Sequence, residues 1–119
     1  MIKTANSNEI NIPRGTSLTF GIRITNSDGT AYEPQNNDVV RFGVKRDEKS
    51  DSFVISKTAQ YDSETDCYIV ELSPEDTINL DFGRYWYDVG LQTDDGDYYM
   101  IIPASRFNIT SAITRKVTA

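Results

Sequence analysis

The chain has 119 residues, of which 38% are hydrophobic and 25% charged, and its net charge is −6. This size accommodates one domain with one core, and the composition argues against a disordered tail or a membrane protein. The acidic balance would repel phosphate backbones and anionic lipid, so we expect neither a nucleic-acid partner nor a membrane partner.

Short alternating stretches in the first third of the chain predict β-strands. A brief strand around residues 10–12 ends at Pro13, and a clearer strand covers residues 18–24. Asn-Ser-Asp-Gly at residues 26–29 is typical of a turn. Residues 31–38 contain proline and show no periodicity, so they predict a loop.

Three further segments occupy the middle of the chain. Residues 39–46 alternate cleanly and predict a strand. Residues 52–61 predict an edge strand, because Lys57 shares the parity of the apolar residues and a charge there discourages pairing with other chains. A polar turn at residues 62–66 then leads into a strand at residues 68–72.

The last third of the chain predicts a helical turn followed by a central hairpin. Ser-Pro-Glu-Asp at residues 73–76 combines an N-cap serine with proline at the first helical position. Residues 84–92 alternate, and Asp-Asp-Gly-Asp at residues 94–97 predicts a tight turn into a last strand at residues 98–109. Pro103 should interrupt that strand.

Together these segments predict an all-β sandwich of about seven strands over residues 1–110, with residues 111–119 as a C-terminal tail or linker. A single cysteine cannot form an internal disulfide, so packing must hold the core. The side chains predicted to point inward are Ile12, Leu18, Phe20, Ile22, Ile24, Val40, Phe42, Val44, Phe53, Ile55, Tyr68, Val70, Leu72, Tyr85, Tyr87, Val89, Leu91, Tyr99, Ile101, Phe107 and Ile109.

The residue types restrict the chemistry. Histidine is absent, which removes His-based triads and the usual zinc sites. Cys67 has no cationic neighbour in sequence and is interpreted as inert. Asp94, Asp95 and Asp97 could collect a calcium ion, but they lack the spacing of a calcium loop and are better explained as a polar turn. We therefore expect no catalytic, cofactor or metal site.

Outward aromatic residues are the main candidates for partner binding. By parity Trp86 and Tyr98 point away from the core on adjacent strands of the hairpin, with Met100 beside Tyr98. Such a cluster can contact another protein or a sugar ring, because aromatic residues are enriched at interface centres. The alternative is that a loop covers these side chains.

Asp81-x-Gly83-x-Tyr85-x-Tyr87 resembles the Asp-x-Gly-x-Tyr-x-Cys run that opens strand F of immunoglobulin-type sandwiches, with Tyr87 at the cysteine position. The resemblance implies an immunoglobulin-like antiparallel β-sandwich. It also implies that Tyr85 is the corner residue, with its ring buried and its hydroxyl bonded to nearby backbone.

A wider resemblance covers roughly residues 10–110. It is carried by RGTSLTFGIRITNSDGTAY, VVRFGVKR, LSPEDTINLDFGRYWYDVGLQTDDG and RFNIT. These segments resemble the immunoglobulin-like domains of tail and baseplate proteins of tailed bacteriophages, similar to the N-terminal domain of baseplate upper proteins. The chain departs from that family by ending soon after the domain.

The resemblance implies a non-enzymatic structural or adaptor module of a phage or prophage tail or baseplate. Its partners would be other tail subunits or copies of itself. The beginning of the chain lacks the apolar core of a secretory signal, so we expect assembly in a bacterial cytoplasm and a final location in the virion. The alternatives are a module that binds host-surface carbohydrate and, third, a small enzyme.

Overall fold

The structure is a computed structural model that describes residues 9–113. Its fold is all-β, as the sequence predicts, with one helical turn. Residues 111–113 follow the last strand without regular structure, and the rest of the predicted tail lies outside the described residues. The elements are β1 (Ile10–Pro13), β2 (Leu18–Ile22), β3 (Val39–Lys45), β4 (Ile55–Asp62), β5 (Cys67–Leu72), α1 (Pro74–Thr77), β6 (Gly83–Gln92) and β7 (Tyr98–Thr110).

The seven strands form one continuous order, β1-β7-β6-β3-β4-β5-β2. Neighbouring strands are antiparallel except β1, which runs parallel to β7. The sheet is therefore mixed and not wholly antiparallel. The exception arises because β1 and β7 are the first and last strands and no hairpin joins them.

Strand β4 connects the two halves of the sheet. Residues 55–59 pair with β3, whereas residues 60–62 pair with β5. The strands consequently wrap in a nearly barrel-shaped arrangement around one core. Strand β4 lies between β3 and β5 in the strand order. Within the described residues, however, the part of β4 that carries Lys57 pairs only with β3, so one backbone edge of that part pairs with no strand, as in an edge strand. The Lys57 ammonium lies 3.0 Å from a carboxylate oxygen of Asp76.

An aromatic cluster fills the centre of the core. Phe42 and Phe107 are fully buried, with ring centroids 6.0 Å apart. Phe20 approaches Phe42 edge-on at 5.5 Å, and Tyr87 approaches it at 5.4 Å. These rings come from both halves of the sheet and join them without a disulfide.

Most predicted inward residues are buried, and the departures have local causes. Leu18 and Phe20 are only half-buried because β2 is an edge strand. Phe53 is 55% exposed and is not a core residue, because β4 begins only at Ile55. Tyr99 is 52% exposed and lines an open cleft at one end of the sheet. Buried residues that the prediction missed are Ala59, Cys67, Thr77 and Ile102.

Pro103 lies within a continuous strand, contrary to the predicted interruption. The ladder pairs Tyr87 with Ser105 and Gly90 with Met100, so β7 takes five steps where β6 takes three. The two register shifts are β-bulges, and one of them contains Pro103. Each bulge changes the alternation of faces, and the two changes cancel, so Ile101, Phe107 and Ile109 are buried as parity predicts. Ile102, which lies between the two bulges, is buried against that prediction.

The helical turn α1 forms where the sequence predicts it. Its last residue is hydrogen-bonded to the turn that follows β1. Its Asp76 carboxylate accepts a hydrogen bond of 2.8 Å from the backbone N–H of Ser73. The buried hydroxyl oxygen of Thr77 accepts a hydrogen bond of 2.8 Å from the backbone N–H of Gly15. Gly15 has a φ of 78°, and a Cβ there would lie 2.8 Å from Ile78. Glycine is therefore required where α1 meets the turn after β1.

Tyr85 fixes the start of β6. Its side chain is 2% exposed, and its hydroxyl donates a hydrogen bond of 2.8 Å to the backbone carbonyl of Asp81. The Arg46 guanidinium lies 4.6 Å above its ring. A buried ring with a hydroxyl tied to backbone four residues upstream is the geometry of a tyrosine corner.

We predict that Tyr85→Phe lowers the free energy of unfolding by about 1–2 kcal/mol, because the Asp81 carbonyl loses its donor at a part-buried site. Urea denaturation measures the change. Tyr61→Phe is the matched control, because the Tyr61 hydroxyl bonds an exposed carboxylate of Asp66. An equal loss in both variants would contradict a special role for Tyr85.

We also predict a loss of stability at alkaline pH. Burial raises the pKa of Tyr68 and of Tyr87 to about 12. An unfolded tyrosine has a pKa of about 10, so these phenols contribute stability that is fully present below about pH 10 and lost as the pH rises toward about 12. The double variant Tyr68→Phe/Tyr87→Phe should flatten this decline in urea denaturation. Tyr98→Phe, at an exposed site, should leave the decline in place.

Candidate functional site

An open cleft of about 1160 Å³ lies at one end of the sheet. Residues 24–38 form one wall and residues 93–97, the turn between β6 and β7, form the other. Ile24, Leu91 and Ile101 are buried and provide an apolar floor. We call this feature the loop-end cleft.

The loop-end cleft explains the exposure of Tyr99. Tyr99 pairs with the buried Leu91, and both line the cleft. Strand β2, however, ends at Ile22, so β2 does not extend over this part of the hairpin. Tyr99 therefore lies at the border of the core, beside the open cleft. Parity predicts a face of the strand but not how far the opposite layer extends.

Asp38 organises the wall opposite Tyr99. One of its carboxylate oxygens accepts hydrogen bonds from the Tyr32 hydroxyl at 2.7 Å and from the Gln35 backbone N–H at 2.8 Å. Its other oxygen is buried and has no hydrogen-bond partner. Burial, reinforced by the bond to Asp38, raises the pKa of Tyr32 above its ordinary value. The cleft thus presents a neutral phenol beside a carboxylate.

The acidic turn opposite is held by its own bonds. The backbone N–H of Thr93 donates to the carbonyl of Asp97 at 2.8 Å, and Gly96 has a φ of 92°. The Thr93 hydroxyl donates to Asp95, and this bond holds the pKa of Asp95 below its usual value. Asp94 accepts a hydrogen bond of 3.0 Å from Asn37, which links the two walls.

These bonds form the polar hairpin turn that the sequence predicts at residues 94–97. Among residues 9–113, no group of three or more Cys, Asp or Glu side chains is arranged to hold a metal ion.

The predicted aromatic cluster divides into two separate groups. Tyr98 is 59% exposed and lies over Gly90, where any Cβ would collide with its ring. Met100 is 46% exposed and lines the loop-end cleft. Trp86 is only half-buried, and Arg106 lies 4.4 Å above its ring. Gly90 is four residues from Trp86, about 13 Å along the strand, so Trp86 and Tyr98 do not form one patch.

A second, smaller groove of about 160 Å³ lies beside Trp86. Phe53 covers Gly43 there, and the Lys45 ammonium lies 4.8 Å from the Phe53 ring. Asp88 lies in the same groove; burial raises its pKa, and the nearby Lys45 opposes that shift. Parity predicted that Phe53 points into the core, because a bulky residue two positions before a buried isoleucine suggests a core strand.

Cys67 has a cationic neighbour, Arg23, which lies 44 residues away in the sequence. Its side chain is buried, and its sulfur lies 3.8 Å from the guanidinium of Arg23. Arg23 also donates a hydrogen bond of 3.1 Å to the carbonyl of Thr65. The guanidinium thus fastens the β4–β5 turn to the end of β2, a structural role.

Comparison with known proteins found no matching family model, no matching curated protein and no matching solved structure. Within the described part of the chain, no helix has the length and apolar character needed to cross a membrane.

We predict that Asp38→Ala loosens residues 31–38 and lowers the free energy of unfolding by about 1–3 kcal/mol, because two hydrogen bonds to a charged acceptor are lost. Faster hydrogen exchange of the Gln35 amide measures the local change. Glu33→Ala, which removes an exposed carboxylate from the same loop, is the control. Unchanged exchange at Gln35 in Asp38→Ala would contradict this role.

Proposed function

We propose that this chain is an immunoglobulin-like structural or adaptor module of a phage or prophage tail or baseplate, and that it works by contacting other proteins. The strand neighbours support the immunoglobulin-like assignment: β2 pairs with β5, and β3, β6 and β7 are adjacent. The buried Tyr85 with its backbone bond supports it further. The sequence resemblance supplies the link to tail proteins.

One observation supports a contact role above the others. Tyr99 and Met100 are about half exposed, and both line the loop-end cleft. Single exposed apolar residues are normal, whereas a contiguous group marks an interaction site. Tyrosine and methionine are also enriched at the centres of protein interfaces. We call these two residues the hairpin patch.

The loop-end cleft favours a second candidate, a carbohydrate-binding module that recognises a host surface. Tyr32 and Tyr99 line the cleft together with Asp38, Asn26 and other polar residues. Aromatic faces with a few placed polar groups suit a ring that carries both C–H and hydroxyl groups. Tyr99 would contribute to either function, so an experiment must compare the two functions directly.

We predict that the chain sediments with tail or baseplate particles induced from its source organism. The double variant Tyr99→Ser/Met100→Ser should bind the purified particles at least about tenfold more weakly, because it removes two apolar anchors from the hairpin patch. Phe82→Ser, which removes an exposed ring elsewhere, is the control, and circular dichroism checks that each variant is folded.

A glycan array separates the two candidates. Binding to particles with an empty array favours the structural module. A glycan hit that Tyr99→Ser abolishes, together with absence from particles, would contradict it and favour the carbohydrate-binding module.

A further inference from the structure

The small groove beside Trp86 has a mixed lining that the proposed function does not use. Its lining includes the aromatic rings of Phe53 and Trp86, the ammonium of Lys45 and the carboxylates of Asp88 and Glu48. We call it the Trp86 groove. Its volume of about 160 Å³ is close to that of a cavity of about 150 Å³ that holds a benzene ring in another protein, so it accommodates one six-membered ring.

The groove exists because both strands that flank Asp88 carry small residues beside it. In β3 the ladder partner of Asp88 is Gly43, which has no side chain to cover the carboxylate. In β7 the ladder skips Asp88 at a β-bulge, and the small Ala104 lines the groove there. β-Bulges are common next to functional sites, because they redirect side chains and interrupt pairing. The Asp88 carboxylate is therefore accessible from the groove.

Asp88 and Lys45 line the groove without bonding each other. Asp88 is only half-buried, yet among the described residues no hydrogen bond reaches its carboxylate. Burial raises the pKa of Asp88, and Lys45 opposes that shift through its charge alone. The Lys45 ammonium instead lies 4.8 Å from the centre of the Phe53 ring. A ligand that bonds both side chains would satisfy an acceptor and a donor at once.

The lining disfavours three classes of ligand. A cation would meet Lys45, and the Trp86 ring already carries the Arg106 guanidinium. An anion would meet the carboxylates of Asp88 and Glu48. A purely apolar ligand would cover the Asp88 carboxylate without giving it a hydrogen bond, which is costly. A neutral ligand with several hydrogen-bonding groups fits all of these constraints.

We propose that the Trp86 groove binds one neutral pyranose ring of a glycan. Adjacent hydroxyls of such a ring can donate to the Asp88 carboxylate and accept from the Lys45 ammonium at the same time. The C–H groups of the ring can pack against the aromatic surfaces of Trp86 and Phe53. This site shares no lining residue with the loop-end cleft, and it goes beyond the proposed function.

Trp86 is the only tryptophan in the chain, so its fluorescence reports directly on the groove. We expect a glycan array to give hits among neutral glycans, and titration with the matching methyl glycoside to change the Trp86 fluorescence saturably. A single ring should bind with a dissociation constant on the order of 1 mM. The dense display of glycans on the array compensates for this low affinity. The corresponding uronic acid or protonated amino sugar should bind at least about tenfold more weakly.

Two variants alter the groove without altering the core. Asp88→Asn removes the charged acceptor, and Ala104→Leu fills the groove from an exposed position. Each should bind the glycoside at least about tenfold more weakly, because a charge-assisted hydrogen bond or the space for the ring is lost. In urea denaturation Asp88→Asn should be at least as stable as the native chain, because it removes a partly desolvated charge.

Two control variants should bind the glycoside like the native chain. Glu71→Gln makes the same carboxylate-to-amide change at an exposed site in β5, and Tyr99→Ser alters the loop-end cleft. An array without a neutral hit, or native binding by Asp88→Asn, would overturn the sugar site. A clear loss of stability in Asp88→Asn would mean that this carboxylate supports the fold, and it would overturn the site as well.

Two results separate this inference from the proposed function. An empty array, together with particle binding that Ala104→Leu weakens, would mean that a protein side chain occupies the groove. That result would overturn the sugar site and leave the module assignment standing. A glycan hit that Asp88→Asn abolishes and Tyr99→Ser preserves, in a chain absent from particles, would support the sugar site and overturn the assignment to a tail.

Discussion

The fold depends on packing around Phe42, whose ring contacts aromatic rings from both halves of one bent sheet. With one cysteine in the chain, no internal disulfide can share this task. The two halves meet because β4 changes partner from β3 to β5 along its length. A substitution that straightened β4 would therefore separate the layers that bury Phe42, and the core would lose most of its apolar contacts.

The same geometry leaves one end open. Because β2 stops at Ile22, the hairpin of β6 and β7 extends past the opposite layer, and side chains that continue the core pattern become the walls of the loop-end cleft. Asp38 and the turn at residues 93–97 then stabilise those walls with their own hydrogen bonds. A binding surface at this end requires no change to the core that supports it.

Sequence alternation predicted the strands and most of the core, because period-two burial is a local property. The helical turn was predicted by its Ser-Pro-Glu-Asp capping signal. Alternation failed at Phe53 and Tyr99, where exposure depends on where another strand begins or ends. It also could not reveal the β-bulges around Pro103, since these depend on the register of the partner strand. The predicted grouping of Trp86 with Tyr98 failed for the related reason that parity gives a face and not a distance.

The bulged part of β7 has a consequence for how copies of this domain can meet. Within the described residues, 98–106 pair only with β6, so no strand pairs with their other backbone edge. A strand of another molecule can normally pair with such an edge. Here two bulges distort the spacing of the backbone N–H groups, and Pro103 has no backbone N–H group. These features disfavour cross-β pairing of another molecule along this border of the sheet.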